Sequence, residues 1–89
     1  MLILEYTSAF LRRLRKLPLD VQERAIQKIA LFKYRANHRM LLVHKLYGNF
    51  ADSWAFDVDW KIRGVFKFLP NNHVLMESIG NHNIAYRKR

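Results

Sequence analysis

The sequence predicts an α+β domain with the element order β-α-α-β-β-β, in which a two-helix hairpin packs on one face of an antiparallel sheet. Two observations carry this prediction. Apolar residues recur at helical spacing in the first half of the chain and alternate with polar residues in much of the second half. The 89 residues are enough for one small domain, and no composition shift, repeat or low-complexity stretch divides residues 1–89.

The first elements are a short strand and a helix. Residues 1–6 form an apolar run that includes a β-branched residue, and Thr7 and Ser8 follow it as good helix N-caps. Pro18 ends the helix because a proline cannot continue the hydrogen-bond ladder. The apolar stripe of this helix has spacings of four and three residues: Phe10, Leu14 and Leu17.

A second helix follows at once. Asp20 and Glu23 resemble a capping box at its start, and the helix is expected to fray near residues 36–37. The link between the helices is so short that they should form an antiparallel hairpin. The predicted stripe of the second helix is Val21, Ala25, Ile29 and Phe32, widened by Ile26.

Three strands are predicted after residue 37, where the period of the pattern changes. In the first run the apolar residues Trp54, Phe56 and Val58 occupy every second position. In the second run the alternation is between two sets: Ile62, Gly64, Phe66 and Phe68, and Lys61, Arg63, Val65 and Lys67. A turn signal at 70–72 precedes the third run, residues 74–79. The facing of that run is ambiguous, but keeping Glu77 out of the core favours Val74 and Met76 as the inward residues.

Strand parity constrains the loop between the first two runs. A two-residue loop at 59–60 would set Arg63 opposite Phe56, on the apolar face. A three-residue loop at 59–61 instead sets Asp57 opposite Arg63 on the polar face, and it is the loop that we predict. It also pairs Val58 with Ile62 and Phe56 with Gly64. Structural roles are favoured over catalytic ones for the turn residues Asp59 and Trp60.

The charge of the chain indicates a polyanionic partner. Sixteen Lys and Arg oppose seven Asp and Glu, giving a net charge of +9, and no acid lies between Arg24 and Ala51. The tail at 87–89 adds a second basic block. The alternative is a solvated surface, but this excess favours a nucleic acid or an acidic protein.

The compartment is expected to be the cytoplasm. The chain has no cysteine, so disulfides and thiolate metal sites are excluded. The apolar run at residues 1–4 is too short for a signal segment, and no stretch approaches the length of a membrane span. The four histidines show no metal-ligand spacing, so no cofactor and no metal are predicted.

Three blocks of the second half carry a family resemblance. They are His44-Lys45-Leu46-Tyr47-Gly48, the run from Trp54 to Arg63, and Gly80-Asn81-His82-Asn83-Ile84-Ala85-Tyr86. In this order, and with these elements, they resemble the RelE/ParE superfamily of type II toxin–antitoxin toxins. The Asp59-Trp60 pair is also similar to one in the YafQ-like subgroup. The chain departs from that subgroup in having Arg63, and Tyr86 where a phenylalanine is expected.

The resemblance implies a RelE-like (microbial-ribonuclease-like) fold and the role of a toxin. The RelE branch cleaves mRNA in the ribosomal A site, whereas the ParE branch inhibits DNA gyrase, and in both a cognate antitoxin neutralises the toxin. We therefore expect an endoribonuclease that acts on mRNA and the ribosome and forms a hetero-oligomer with an acidic antitoxin. A ParE-like gyrase inhibitor and a non-cleaving basic RNA-binding module remain the alternatives.

Metal-free RNA cleavage needs a base for the 2′-hydroxyl, cations for the charge on the phosphorane and an acid for the departing 5′-oxygen. If the strands lie side by side, one face collects the catalytic candidates His44, Lys45, Arg63, His82 and Tyr86. Arg63 suits the transition-state charge because a guanidinium matches phosphate oxygens and stays protonated. An ion pair with Asp57 is a compatible structural role.

The remaining candidates have both a functional and a structural interpretation. His82 titrates near physiological pH and can act as acid or base, or it is a surface histidine. Tyr86 can stack on a base or orient the 2′-hydroxyl, or it docks on the core. Lys45 can hold phosphates and His44 can transfer protons, although alternation sends adjacent side chains to opposite faces. The expected RNA- and ribosome-binding residues are Arg12, Arg13, Lys16, Lys61 and Arg87, with a solvated helix face as the alternative for those of the first helix.

Overall fold

The structure, a computed structural model, describes residues 1–48 and 52–81 of the chain. Its elements are β1 (Ile3–Tyr6), α1 (Ser8–Lys16), α2 (Leu19–Phe32), a 3-10 helix (Arg35–Asn37), β2 (His44–Lys45), β3 (Trp54–Asp57), β4 (Ile62–Leu69) and β5 (His73–Asn81). The predicted α+β class and element order are confirmed. The strand β2 was not predicted, because two residues are too few to show a period. Within the described ranges, neither helix is long and apolar enough to cross a membrane.

The strands of the described residues form one mixed sheet in the order β1-β5-β4-β3-β2. Strands β2 to β5 pair antiparallel with their neighbours. β1 instead runs parallel to β5, with Ile3 opposite His73, so the expectation of a wholly antiparallel sheet is wrong for this strand. β1 is far from β5 in sequence, and such a long connection does not force the antiparallel direction as a hairpin does.

The start of α1 is fixed to the sheet by Thr7. Its hydroxyl oxygen accepts a hydrogen bond from the Phe10 backbone N–H at 2.9 Å, which confirms the predicted N-cap. The same hydroxyl donates to the Glu77 carbonyl at 2.8 Å. The cap therefore ties the first turn of α1 to β5, and α1 ends at Lys16, just before Pro18.

The predicted capping box of α2 is wrong. The helix begins at Leu19 with Pro18 as its N-cap, and no side chain caps it. The fixed φ of proline supplies the turn into the helix, so no side-chain cap is needed there. Asp20 lies inside the first turn, where its charge favours the positive end of the helix dipole.

Both helices bury their apolar stripes against one face of the sheet. The fully buried side chains of this core include Phe10, Phe32, Phe56, Phe66, Leu41, Met76, Ile79 and Val74. The Phe32 ring meets Phe66 edge-on at 4.7 Å and Phe56 at 5.2 Å between centroids. Ala25 and Ile29 are buried as predicted and Val21 is partly buried, whereas Ile26 is 56% exposed. Its predicted place on the stripe is therefore wrong.

The register of the β3–β4 hairpin is the predicted one. Phe56 pairs with Gly64 and Asp57 with Arg63, and the Val58 N–H donates to the Ile62 carbonyl at 2.9 Å. At Gly64 a side chain would have no room, because a Cβ there would collide with the Phe56 ring. The three-residue loop thus puts the aromatic residues on the helix side and Arg63 on the other.

An irregularity in β5 explains the ambiguous facing of its sequence. Val65 pairs with Ser78 while Phe66 pairs with Met76, so Glu77 is an extra residue, a β-bulge. Val74 and Met76 face the helices as predicted, and the bulge returns Ile79 to the same core. Apolar residues of opposite parity, Val74 and Met76 before the bulge and Ile79 after it, therefore face the same core.

Candidate RNA-binding and catalytic face

The face of the sheet opposite the helices, called here the second face, carries the candidate site. It is defined by alternate residues of β3 and β4: Ala55, Asp57, Arg63, Val65 and Lys67. Ala55 and Val65 are buried with Leu46 in a small apolar cluster separate from the main core. The second face was expected to be polar. It instead has a small apolar centre with an ion pair on either side.

Arg63 and Asp57 form the ion pair at the hairpin end of the second face. The Arg63 Nε lies 3.2 Å from the Asp57 Oδ1, and both side chains are partly exposed. Among the described residues, no donor is aligned for a hydrogen bond with that buried Oδ1. Such a pair contributes little to stability, and a phosphate can compete with the carboxylate for the guanidinium.

A groove of about 320 Å³, called here the tip groove, lies between α1 and the hairpin end of the sheet. The Arg63 side chain is on the second face and does not line it. Arg63 pairs with Gly80, which lines this groove. The lining residues are Arg13, Lys16, Leu17, Lys61, Ile62, Ile79, Gly80 and Asn81. Three of the five predicted RNA-binding cations, Arg13, Lys16 and Lys61, therefore meet at one end of the sheet. Arg12 is exposed on α1 but does not line the groove.

Arg13 is held in place on the rim of the groove. Its Nη1 donates to the Ser78 hydroxyl at 2.6 Å, which links α1 to β5 beside the bulge. Ser78 is buried, so this contact fixes one part of the guanidinium against the sheet. A cation whose position is fixed in this way loses little conformational entropy when it binds an anion.

The two β2 candidates lie on different faces. His44 pairs with Ala55 and so belongs to the second face, whereas Lys45 pairs with Trp54 and points to the helix side. The expectation that one face collects both residues is therefore wrong for Lys45. His44 is two strands from β4, about 10 Å across the sheet. Its Nδ1 lies 2.8 Å from the Leu42 carbonyl, so Nδ1–H donates to that oxygen, and Nε2 is an acceptor whenever the ring is neutral.

Three predicted site residues, His82, Tyr86 and Arg87, lie outside the described residues. The last described residue before them is Asn81, which ends β5 and lines the tip groove.

A second polar cluster was missed by the sequence analysis. Glu77 accepts a hydrogen bond from the Ser53 hydroxyl at 3.0 Å and lies 3.5 Å from the Lys67 Nζ. The bulge is what brings Glu77 to these groups, and alternation alone gives no signal of it. The cluster lies at the other end of the second face, since Lys67 is four residues along β4 from Arg63.

At the hairpin tip, the neighbouring residues Asp59 and Trp60 have different roles. The Asp59 Oδ1 accepts from the backbone N–H groups of Lys61 at 2.8 Å and Ile62 at 2.7 Å, and its Oδ2 lies 3.0 Å from the Arg24 Nη1. Partial burial raises the pKa of Asp59, but the two backbone hydrogen bonds and Arg24 outweigh it and leave the pKa below its ordinary value. The predicted structural role is confirmed for Asp59, whereas Trp60 is 87% exposed and has no packing role.

In residues 1–48 and 52–81, no three His, Asp or Glu side chains come together as potential metal ligands.

The helix pair, the mixed sheet and its strand order define the fold of the RelE-type toxins. A chain of the toxin–antitoxin complex RelBE2 from Mycobacterium tuberculosis superimposes with a TM-score of 0.76 at 15% identity, over 91% of this chain and 98% of that one. A chain of the intact RelBE toxin–antitoxin complex from E. coli gives 0.70 at 20% identity, over the whole of both chains. YafQ from E. coli gives 0.69 at 12% identity, over 98% of this chain and 100% of that one.

These likenesses are of structure. No protein-family model matches the sequence, and no curated protein matches it. The resemblance found in the motifs is thus confirmed at the level of the fold.

Proposed function

We propose that this chain is the toxin of a type II toxin–antitoxin system and a ribosome-dependent endoribonuclease that cleaves mRNA in the A site. The observation that carries the proposal is that Arg63 lies at the end of the sheet where Arg13, Lys16 and Lys61 line one groove. A cation for a reacting phosphate and cations for its neighbours then lie at one end of the sheet. The net charge of +9 and the RelE-type fold support the same conclusion.

The chemistry is an attack by the 2′-oxygen on the adjacent phosphorus, with loss of the 5′-oxygen. The base takes the proton of the 2′-hydroxyl, and the acid gives a proton to the departing oxygen, so the products are a 2′,3′-cyclic phosphate and a 5′-hydroxyl. Arg63 stabilises the charge that gathers on the phosphorane. His82 is proposed as the proton-transfer group and Tyr86 as the group that orients the 2′-hydroxyl, from their places in the motif that resembles the family.

His44 and Lys45 keep smaller roles in this proposal. His44 is on the second face, and the Nε2 of its neutral ring is a proton acceptor, so an RNA strand that crosses the second face would reach it. Lys45 faces the other side of the sheet and would bind phosphates only outside the reacting centre.

The proposed partner is an acidic antitoxin that forms a hetero-oligomer with the chain in the cytoplasm. The M. tuberculosis RelBE2 and E. coli RelBE neighbours were both solved as toxin–antitoxin complexes. The cations of the tip groove offer such a partner the same charges that they offer to RNA, so an antitoxin bound there would block the RNA site directly.

The test compares Arg63→Ala with Lys67→Ala. Both changes remove an ion-paired cation from β4 on the second face, but only Arg63 lies at the end of the sheet that carries the tip groove. Purified ribosomes carrying a defined mRNA would be mixed with each protein, and primer extension would map and time the cuts. We expect Arg63→Ala to slow cleavage by about 100- to 1,000-fold, as for loss of one transition-state donor. Lys67→Ala should stay within about threefold of the unchanged protein.

Two controls decide between the proposal and its alternatives. Thermal unfolding of both variants checks that neither loses its fold. If both variants cut at the unchanged rate, Arg63 is not the phosphate-binding group. If the mRNA stays intact while purified gyrase loses supercoiling activity, the chain is a ParE-like inhibitor. Binding to ribosomes without cleavage or gyrase inhibition would make it a basic RNA-binding module.

A further inference from the structure

Trp60 is the most exposed of the large apolar side chains in the described part of the chain, at 87%. It lies at the tip of the β3–β4 hairpin, between two residues whose backbone positions are fixed. Asp59 accepts hydrogen bonds from the N–H groups of Lys61 and Ile62 and is ion-paired with Arg24. The backbone of the tip is thus held by hydrogen bonds within the turn and by an ion pair to α2, and the indole projects from it into solvent.

The surroundings of the indole are cationic. The Lys61 Nζ lies 5.6 Å from the centroid of the Trp60 ring, within the range of a cation–π contact. Lys61 also lines the tip groove, together with Arg13 and Lys16. The apolar residues of the groove include Ile62 and Ile79. Trp60 is therefore adjacent, through Lys61, to a groove with apolar walls and positive charges.

We propose that Trp60 is a stacking platform for one unpaired RNA base, and that the tip groove binds the phosphate and sugar next to that base. This inference deepens the proposed function, since it names the part of the RNA that the hairpin tip would hold. An exposed aromatic ring with cations close by is the arrangement that binds single strands, because every base has a π-face and every link has a charge.

An acidic peptide would explain the cations but not the indole. Carboxylates pair with Lys and Arg and gain little from an aromatic face, whose charge distribution is negative. A rigid, exposed indole instead offers a base a large contact area at a small entropic cost. The observations therefore favour RNA, and the peptide becomes an outcome of the test.

The experiment uses the full chain and a single-stranded 2′-O-methyl oligonucleotide of about eight nucleotides, which lacks the 2′-hydroxyl nucleophile and cannot be cut. Trp54→Phe is introduced so that Trp60 is the sole tryptophan, and its fluorescence is followed as the oligonucleotide is added. We expect quenching of Trp60. In anisotropy measurements with a labelled oligonucleotide, Trp60→Ala should bind about 5- to 100-fold more weakly, and Trp60→Phe should recover part of the loss.

Tyr47→Ala is the matched control, because Tyr47 is an aromatic residue of similar exposure, 80%, next to the other edge of the sheet. It should bind like the unchanged protein. A second probe with an abasic site at each position in turn should reveal one site at which Trp60→Ala no longer weakens binding. That result would distinguish stacking from a general loss of surface.

The proposal is overturned if Trp60→Ala and Tyr47→Ala bind the oligonucleotide equally well. It is also overturned if a glutamate-rich peptide quenches Trp60 and the oligonucleotide does not, which would assign the tip to a protein partner. The readout does not depend on cleavage. A chain that leaves mRNA intact on ribosomes but binds the probe through Trp60 would refute the proposed function and support the stacking site.

Discussion

The two faces of the sheet differ in the residues that form them. The helix side carries Phe32, Phe56 and Phe66, fully buried and in ring contact with one another. The second face carries the small residues Ala55 and Val65 with ion pairs at each end. The difference indicates that one face supplies most of the folding free energy, so that the other can carry partly exposed charges that contribute little to stability.

The largest expected effect is the loss of a core aromatic. Phe32→Ala should reduce the free energy of unfolding by about 3 to 5 kcal/mol, because it removes the ring that bridges α2 and the sheet and leaves a cavity. Val65→Ala, which truncates a buried residue of the second face, should cost about 1 to 2 kcal/mol. Urea unfolding of both variants measures the difference.

Equal losses in the two variants would contradict the comparison. The slope of the unfolding free energy against urea must stay the same in both, since a changed slope signals a changed denatured state rather than a lost contact.

A smaller effect is expected from adding one methyl group to the core. Gly64→Ala should destabilise the protein by about 1 to 3 kcal/mol, because the new Cβ collides with the Phe56 ring and the core must shift. Phe56→Leu makes room at that point. In the Phe56→Leu background the same Gly64→Ala change should therefore cost clearly less.

A double-mutant cycle by urea unfolding measures this coupling. If the cost of Gly64→Ala is the same in both backgrounds, the conformational freedom of the glycine rather than the space under the ring is what matters at this position.

Much of the fold could be predicted from the sequence where a periodic pattern met a geometric constraint. The parity of two alternating runs was enough to set Asp57 opposite Arg63 and Phe56 opposite Gly64. In β5 strand parity was right for Val74 and Met76 but wrong for Ile79, because a bulge at Glu77 changes the parity within the strand without any sign in the residue types. It also missed β2, whose two residues depend on pairing with β3 rather than on their own pattern.

The candidate site was predictable to the extent that it depends on residue chemistry. Arg63 was singled out by the family resemblance, and the groove cations Arg13, Lys16 and Lys61 by being guanidinium or ammonium groups in a strongly basic chain. The meeting of α1 with the end of β5 was not predictable, since it depends on the parallel docking of β1 and on the Thr7 contact with Glu77. Trp60 was assigned a structural role because turn residues commonly brace turns, and here Asp59 does that alone.

The smallest expected effect concerns Asp59, which connects the two regions. Its ion pair with Arg24 ties α2, on the helix side, to the hairpin that carries Arg63. Asp59→Ala removes the acceptor of two backbone N–H groups as well as the charge, and should cost about 1 to 2 kcal/mol. Asp59→Asn keeps an acceptor oxygen and loses the ion pair, so it should cost about 0.5 to 1 kcal/mol. Asp20→Asn, which removes an exposed acid from α2, is the charge-matched control and should change stability by less than about 0.5 kcal/mol.

The pH dependence gives the ion pair a separate signature. The pKa of Asp59 is lowered in the folded protein, so its stabilising contribution is complete above the pKa of the unfolded chain and is lost as the pH falls through the lower folded value. The stability difference between the unchanged protein and Asp59→Asn should therefore be constant from neutral pH to about pH 4 and shrink below it. A difference that stays constant into the acid range would mean that the charge of Asp59 does not hold the tip. In that case the backbone hydrogen bonds alone would position Trp60, and the hairpin would be independent of α2.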